Sequence, residues 1–311
     1  MRGKKRILPL LMALLVLAGC GSAPEKSVSE DTAEEPEVQE VFTPYEAPAA
    51  RYAQFHAEHA QGEDGLLVDL EHMNDGYISV CMTTDSVMKL QVLKDEDTYT
   101  YSLNSDGTVN VFPVQCGNGT YTVRVMQNVV DTRYTEVASY EQEVSIADEF
   151  APYLYNSDYV NYNADSDCVA LAKELAAHES DELGVVSAIY DYICAHITYD
   201  SALAASVPNG YMPVLDEVLA SGTGICFDYA SLAAAMLRSQ GIPTKVIFGY
   251  VAPDDIYHAW NMFYTEESGW VTVDFQVDTD TWNRMDLTFA ANGADDSFIG
   301  NGTNYTDVYF Y

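Results

Sequence analysis

Basic residues are scarce in this chain: 14 lysines and arginines stand against 48 acids in 311 residues, a formal net charge of −34. A nucleic-acid surface needs clustered cations to displace counterions from phosphates, so that partner class is excluded. The ordinary consequence of such a charge is solubility. Long apolar runs are also missing. The stretch from Ile7 to Val16 is well short of the roughly 20 apolar residues that a spanning helix requires. There is no His-Glu-x-x-His, no paired Cys-x-x-Cys and no glycine-rich phosphate cradle. The common zinc-hydrolase, zinc-ribbon and nucleotide signatures are therefore absent, and the chemistry argued below needs neither metal nor cofactor.

What is present begins with an export signal. Arg2, Lys4, Lys5 and Arg6 precede the short apolar run, the layout of a signal peptide. Residues 1–20 end in Leu17-Ala18-Gly19-Cys20, which resembles the lipobox of bacterial lipoproteins. That resemblance implies lipidation of Cys20 and an extracytoplasmic protein anchored to the cell membrane, since two acyl chains hold firmly where one is marginal. Residues 21–50 carry eight acids, one lysine and four prolines. A segment so poor in large apolar groups reads as a disordered acidic spacer.

The remainder is long enough for two domains. Residues 51–60 have the composition of a short helix. From about Leu66, short runs rich in Val, Tyr and Thr alternate apolar with polar. Asn104-Ser105-Asp106-Gly107 and Gly117-Asn118-Gly119 carry hairpin turn chemistry. Residues 51–148 are thus expected to form a small all-β sandwich. After Phe150 the period lengthens. "CVALAKELAAHE", "DELGVVSAIYDYICAHI" (capped by Asp181), "PVLDEVLA" (with Pro213 in its first turn) and a helix starting at Cys226 are followed by the strands "TKVIFGYV", "HAWNMFY", "WVTVDFQV" and "WNRMDLTF". Helices followed by strands make residues 150–311 an α+β domain.

Cys226 follows Gly222-Thr223-Gly224-Ile225 and opens the helix that Gly241 and Pro243 end. A helix N-terminus favours a thiolate, and a neighbouring imidazolium favours it further. The second domain has three histidines. His178 and His196 stand at helix C-termini, where histidine is ordinary. His258 begins a strand just downstream, with Trp260, Met262 and Tyr264 on its face.

Gly224-Ile225-Cys226-Phe227-Asp228-Tyr229-Ala230, His258-Ala259-Trp260 and a following Trp-x-x-x-Asp together resemble the transglutaminase-like superfamily. The likeness runs over roughly residues 180–290 and includes "AIYDYICAHITYD" and "GIPTKVIFGY". It implies a papain-like core with a Cys-His-Asp triad, here preceded by the β-sandwich. Phe227 stands where a polar residue is frequent, and Asn261-Met262 replaces Val-Glu or Asn-Glu. The third triad member has two candidates. Asp274 follows Trp270 by four residues, and a hairpin pairing His258 with Asp274 and Met262 with Trp270 favours it. Asp286 follows Trp282 by four residues, and "RMDLTFA" resembles the family's Asp-Pro-Thr segment with Leu287 for proline.

These residues imply a cysteine hydrolase or acyltransferase acting on peptide or glutamine carboxamide bonds through an acyl-thioester. Its expected partners are a protein or peptide substrate, cell-wall peptide among them, and the membrane through the lipid. Tyr211 is a candidate oxyanion donor. The rival reading is a non-catalytic binding lipoprotein on the same fold. Of the other cysteines, Cys81–Cys116 and Cys168–Cys194 are the simplest disulfide pairs, with free thiols the alternative.

Overall fold

A computed structural model describes residues 42–251, 256–276, 284–286 and 305–311. The expected signal peptide, Cys20 and most of the expected spacer lie outside the described residues.

Seven strands build the N-terminal sandwich: β1 (Leu66–Asp69), β2 (Tyr77–Thr83), β3 (Met88–Lys94), β4 (Asp97–Leu103), β5 (Asp106–Pro113), β6 (Gly119–Val130) and β7 (Arg133–Val144). Two antiparallel sheets, ordered β1-β2-β5 and β4-β3-β6-β7, face each other across a core that includes Val68, Ile78, Leu90, Tyr101, Phe112 and Val123. Alternation supplies that face along β3, β4 and β6, whereas β1, β2 and β5 are buried over longer runs. The two turn signals do not make hairpins. β4 pairs with β3 and β5 with β2, so Asn104–Ser105 carries the chain from one sheet to the other, and Gly117–Gly119 carries it back. Turn chemistry is the same whether the chain stays in a sheet or changes sheet. The real two-residue hairpins are Asp95-Glu96 and Asp131-Thr132, each with its aspartate in the left-handed region (φ 53° in both).

Residues 51–60 form no helix. Their backbone N–H groups are used in an extended course instead: Ala53 donates to Asn156 Oδ1, Gln54 to the Tyr77 hydroxyl and His56 to Asp69 Oδ2. Residues 42–50, given to the spacer by composition, lie against the second domain. Tyr45 donates its backbone N–H to Glu179 O and its hydroxyl to Gln240 O.

In the second domain the helices are α1 (Asp167–Ala176), α2 (Glu182–His196), α3 (Ser201–Ala204), α4 (Leu215–Ser221) and α5 (Cys226–Ser239). Asp181 caps α2 as expected, accepting from Gly184 N at 2.8 Å. Pro213 falls just before the N-cap of α4, outside its first turn. Short strands β8 (Thr198–Tyr199) and β9 (Thr223–Gly224) pair in parallel. The main sheet contains β10 (Thr244–Val251), β11 (Ile256–Thr265), β12 (Gly269–Gln276), β13 (Arg284–Asp286) and β14 (Tyr305–Phe310), in the order β13-β12-β11-β10-β14.

Helix α5 is buried from Phe227 to Ser239 on every side rather than along one stripe. A helix apolar all round belongs at the centre of a domain, and Ala233, Ala234 and Ala235 let its neighbours approach closely. Gly241, at φ 81°, ends it. The helical core and the sandwich meet at an aromatic seam. Tyr159 stacks on Tyr311 with centroids 4.0 Å apart, and Tyr159 and Phe248 pack against both cores.

The five described cysteines are free, so neither disulfide pair forms. Cys81 lies opposite Val109, whereas Cys116 lies beyond Pro113 at the far end of the same ladder. Four strand residues alone span about 13 Å, well beyond disulfide reach. Burial pushes the Cys168 thiol up to about 12 and the Cys194 thiol up to about 11, so both stay protonated.

At the C-terminal end of α5, Arg238 is fully buried and donates to Thr244 O, Tyr155 O and Tyr311 O at 2.9, 2.7 and 3.0 Å. It ties α5, β10 and the seam together. Arg238→Met removes all three bonds and is expected to cost about 3 kcal/mol, read as a lower urea midpoint. A change below about 1 kcal/mol would show that the three carbonyls find other donors.

Candidate active site

Cys226 is the first residue of α5, and the turn before it is held by its own side chains. Asp228 folds back so that its carboxylate accepts the Ile225 N–H at 2.7 Å, and it accepts the Tyr211 hydroxyl at 2.8 Å. Asp228 is buried; burial pushes its carboxyl up, while these two donors pull it down. Gly224 is needed because an added Cβ would lie 2.7 Å from the Asp228 Cβ. With that arm closed, the first-turn N–H groups of α5, which have no intrahelical acceptor, lie beside the half-exposed Cys226. An anion at this position is favoured by both the N–H groups and the helix dipole.

His258 comes from β11, where Trp260 is buried along with the residues on either side of it. Ala259, Asn261, Phe263 and Thr265 are buried, the first three packing towards α5. His258 and Trp260 share the other register face, with rings 6.4 Å apart and 23° from parallel. β11 is registered against α5 by Asn261. Its Nδ2 donates to Ala230 O at 2.9 Å and to Lys245 O at 3.1 Å, while its Oδ1 accepts the Tyr190 hydroxyl at 3.0 Å. Ala230 lies one helical turn beyond Cys226, and Asn261 lies three residues beyond His258. One buried carboxamide thus links the cysteine helix, the histidine strand, β10 and α2.

The result is a cleft of about 650 Å³ that both Cys226 and His258 line. Its walls are largely aromatic, with Tyr199, Tyr211, Phe227, Phe248, Tyr257 and Tyr311 among them. The sandwich contributes Thr100, Ser102 and Asn104. Burial holds the Tyr199 hydroxyl above its usual range, and the neighbouring Cys226 and Asp228 add to the shift. His178 and His196 are not part of this cleft.

The pairing expected to favour Asp274 is not the one observed. Tyr264, not Met262, lies opposite Trp270, and Thr265 lies opposite Gly269. The loop is only Glu266 to Ser268; Thr265 Oγ1 and Ser268 Oγ close it at 2.7 Å, and Gly269 takes φ 70°. The β11–β12 ladder runs no further than Asn261↔Val273. Its register sets Asp274 two residues away from a position opposite His258. On β12 and β13, Asp274 and Asp286 are direct cross-strand partners. The two rival positions are therefore side by side on the face that the register also gives to His258. Their side chains lie outside the described residues.

Tyr211 lines the cleft, but its one hydroxyl proton is donated to Asp228, so in this arrangement it braces the turn before Cys226. Three polar residues given no role from sequence alone matter here: Asp228, Asn261 and Asp158. Asp158 lines the cleft, accepts from Val111 N at 2.7 Å, and is pushed up to about 7 by burial. Only Asp228 had a local signal, standing three residues after the N-cap.

The family model of the transglutaminase-like superfamily core matches residues 169–275, from α1 to β12, and this part of the chain is a transglutaminase-like domain. A protein-glutamine gamma-glutamyltransferase of Pseudomonas aeruginosa is 30% identical over 118 residues, which is 34% of this chain and 17% of that protein. The chain thus spans about a sixth of the length of this curated relative. Among solved structures, the periplasmic domain of TgpA from Pseudomonas aeruginosa aligns with 73% of this chain and 75% of its own, at 18% identity and a TM-score of 0.33. A candidate cysteine protease of Cytophaga hutchinsonii aligns with 74% and 80%, at 17% identity and a TM-score of 0.37.

Asn261→Ala removes the acceptor of the Tyr190 hydroxyl bond and the donor to Ala230 O and Lys245 O. It is expected to cost about 2–3 kcal/mol of stability in urea melts. Tyr190→Phe, which removes one bond, should cost about 1 kcal/mol. Equal losses in the two variants would show that Asn261 does not act as the central link.

Proposed function

We propose that this protein is a transglutaminase-like cysteine hydrolase that cleaves amide bonds in peptides or proteins through an acyl-thioester on Cys226. The observation carrying this reading is that Cys226, at the N-terminus of a buried helix, lines the same cleft as His258.

The chemistry follows from the parts. His258 takes the Cys226 proton, and the thiolate attacks the substrate carbonyl carbon. The oxyanion that forms accepts from the Cys226 N–H at the start of α5. The C–N bond then breaks, and the leaving nitrogen takes the proton held by His258. Water, deprotonated by the same imidazole, attacks the thioester; a carboxylic acid leaves and the thiol is restored. A carboxylate on the neighbouring strands fixes the imidazole tautomer, as in other triads. Asp286 is our assignment and Asp274 its rival.

The aromatic walls give a peptide apolar surface in the cleft that Cys226 lines. The N-terminal signal and the lipobox-like Cys20 support an enzyme anchored outside the cytoplasmic membrane, where envelope proteins and cell-wall peptides are within reach. The Pseudomonas aeruginosa relative is a protein-glutamine gamma-glutamyltransferase, so an amine is the competing acyl acceptor. A cleft open enough to admit a peptide also admits water, which favours hydrolysis.

The full chain is incubated with a glutamine-containing protein and a labelled primary amine. Cleaved peptide without label is expected, lost in Cys226→Ala and reduced by orders of magnitude in Asp286→Asn, with Asp274→Asn mild. Label incorporation that requires Cys226 would make the protein a transferase. No product across varied peptide and wall substrates would favour a non-catalytic binding role.

A further inference from the structure

Three of the chain's six histidines gather at one place far from the cleft in sequence. His56 and His59 belong to the lead-in segment before β1, and His72 to the short connection between β1 and β2. They surround one carboxylate: His56 Nδ1 is 2.8 Å and His59 Nδ1 is 2.5 Å from the same Glu71 oxygen. The His56 ring lies 5.0 Å from His72 and 5.7 Å from His59, centroid to centroid. One donor atom each from His56, Asp69, Glu71 and His72 lies within 4.8 Å of all the others.

Two further features distinguish this cluster from a chance group of surface charges. First, His72 Nδ1 is bonded to Asp75 Oδ2 at 2.8 Å, and the ring stacks on Tyr77 at 4.9 Å. Its Nε2 is buried and without a hydrogen-bond partner. A carboxylate on one ring nitrogen, leaving the other as a lone pair, is the arrangement that orients metal-binding histidines. Second, Asp69 is buried, and each of its oxygens is fixed by a backbone donor, Oδ2 by the His56 N–H and Oδ1 by the Glu71 N–H. The carboxylate is thereby held rigidly between the two segments.

We infer that His56, His72, Asp69 and Glu71 form a binding site for a divalent transition metal of the zinc type, with His59 beside it, and that the ion clips the lead-in segment to the sandwich. Two imidazoles with two carboxylates suit zinc-like ions. They do not suit calcium, which takes oxygen ligands. Bonds of about 2.0–2.2 Å can be reached by small side-chain shifts within the cluster. Glu71 is half-exposed, so the ion has a path from solvent. The clip closes the chain between residues 56 and 72, where the lead-in segment has only isolated hydrogen bonds to hold it.

The test uses the full chain after chelator treatment, with Cys226→Ser so that the active-site thiol cannot bind the ion. Titration with zinc sulfate in a calorimeter should show one zinc per chain and raise the thermal midpoint. Cobalt in place of zinc should give a visible absorption band of a nitrogen and oxygen site. His56→Ala/His72→Ala should weaken binding by about tenfold or more. If that variant is unfolded by circular dichroism, Glu71→Gln, which keeps the side-chain shape, should show the same loss. No stoichiometric uptake by the folded Cys226→Ser chain, or uptake unchanged in the histidine pair or in Glu71→Gln, would overturn the proposal.

Discussion

The Asn261 carboxamide is the interaction on which the site depends. Cys226 sits at the start of a helix and His258 near the start of a strand, and nothing in either element alone sets their relation. Asn261 sets it with three hydrogen bonds in a dry interior. A buried carboxamide that lost those partners would carry the full penalty of unpaired polar groups. The network therefore favours one register of β11 against α5. Gly224 and Asp228 do the corresponding work on the other side, fixing the chain's entry into α5 so that Cys226 falls in the first turn.

The sandwich belongs to the same argument. Tyr99 and Tyr101 of its sheet reach β14 and Tyr311, and Tyr159 stacks between the two cores. Residues of β4 then form one wall of the cleft. The sandwich thus helps to shape the cleft. Arg238 holds the other end of α5 against the same seam, so the helix that presents the thiol is anchored at both ends.

Much of this was legible in sequence, and the limits have physical causes. Helices α1, α2 and α5 and strands β10 to β12 announced themselves through period, caps and breakers. Cys226 and His258 stood out because their residue types and surroundings suit a thiolate–imidazole pair. The expected β11–β12 pairing centred the hairpin on Glu266, whereas the observed one centres it on Glu267, which shifts every strand partner by two residues. The Asn104–Gly107 and Gly117–Gly119 signals were real turns whose destination, another sheet, is a tertiary matter. β14 adds to the edge of a sheet formed much earlier in the chain, and Asn261 looks like any strand asparagine; neither has a local signature. The histidine cluster was hidden for the same reason, since the lead-in segment meets Glu71 and His72 only after folding.

The central claim is that Cys226 and His258 work as one unit. Its most direct measurement is the rate at which iodoacetamide alkylates each cysteine of the folded protein, followed by peptide mass spectrometry. Cys226 should react at least about ten times faster than Cys81 or Cys116, because it opens a helix and shares a cleft with His258. His258→Ala should remove most of that advantage while leaving the fold intact. A Cys226 that reacts no faster than Cys81, or whose rate is indifferent to His258, would contradict the account.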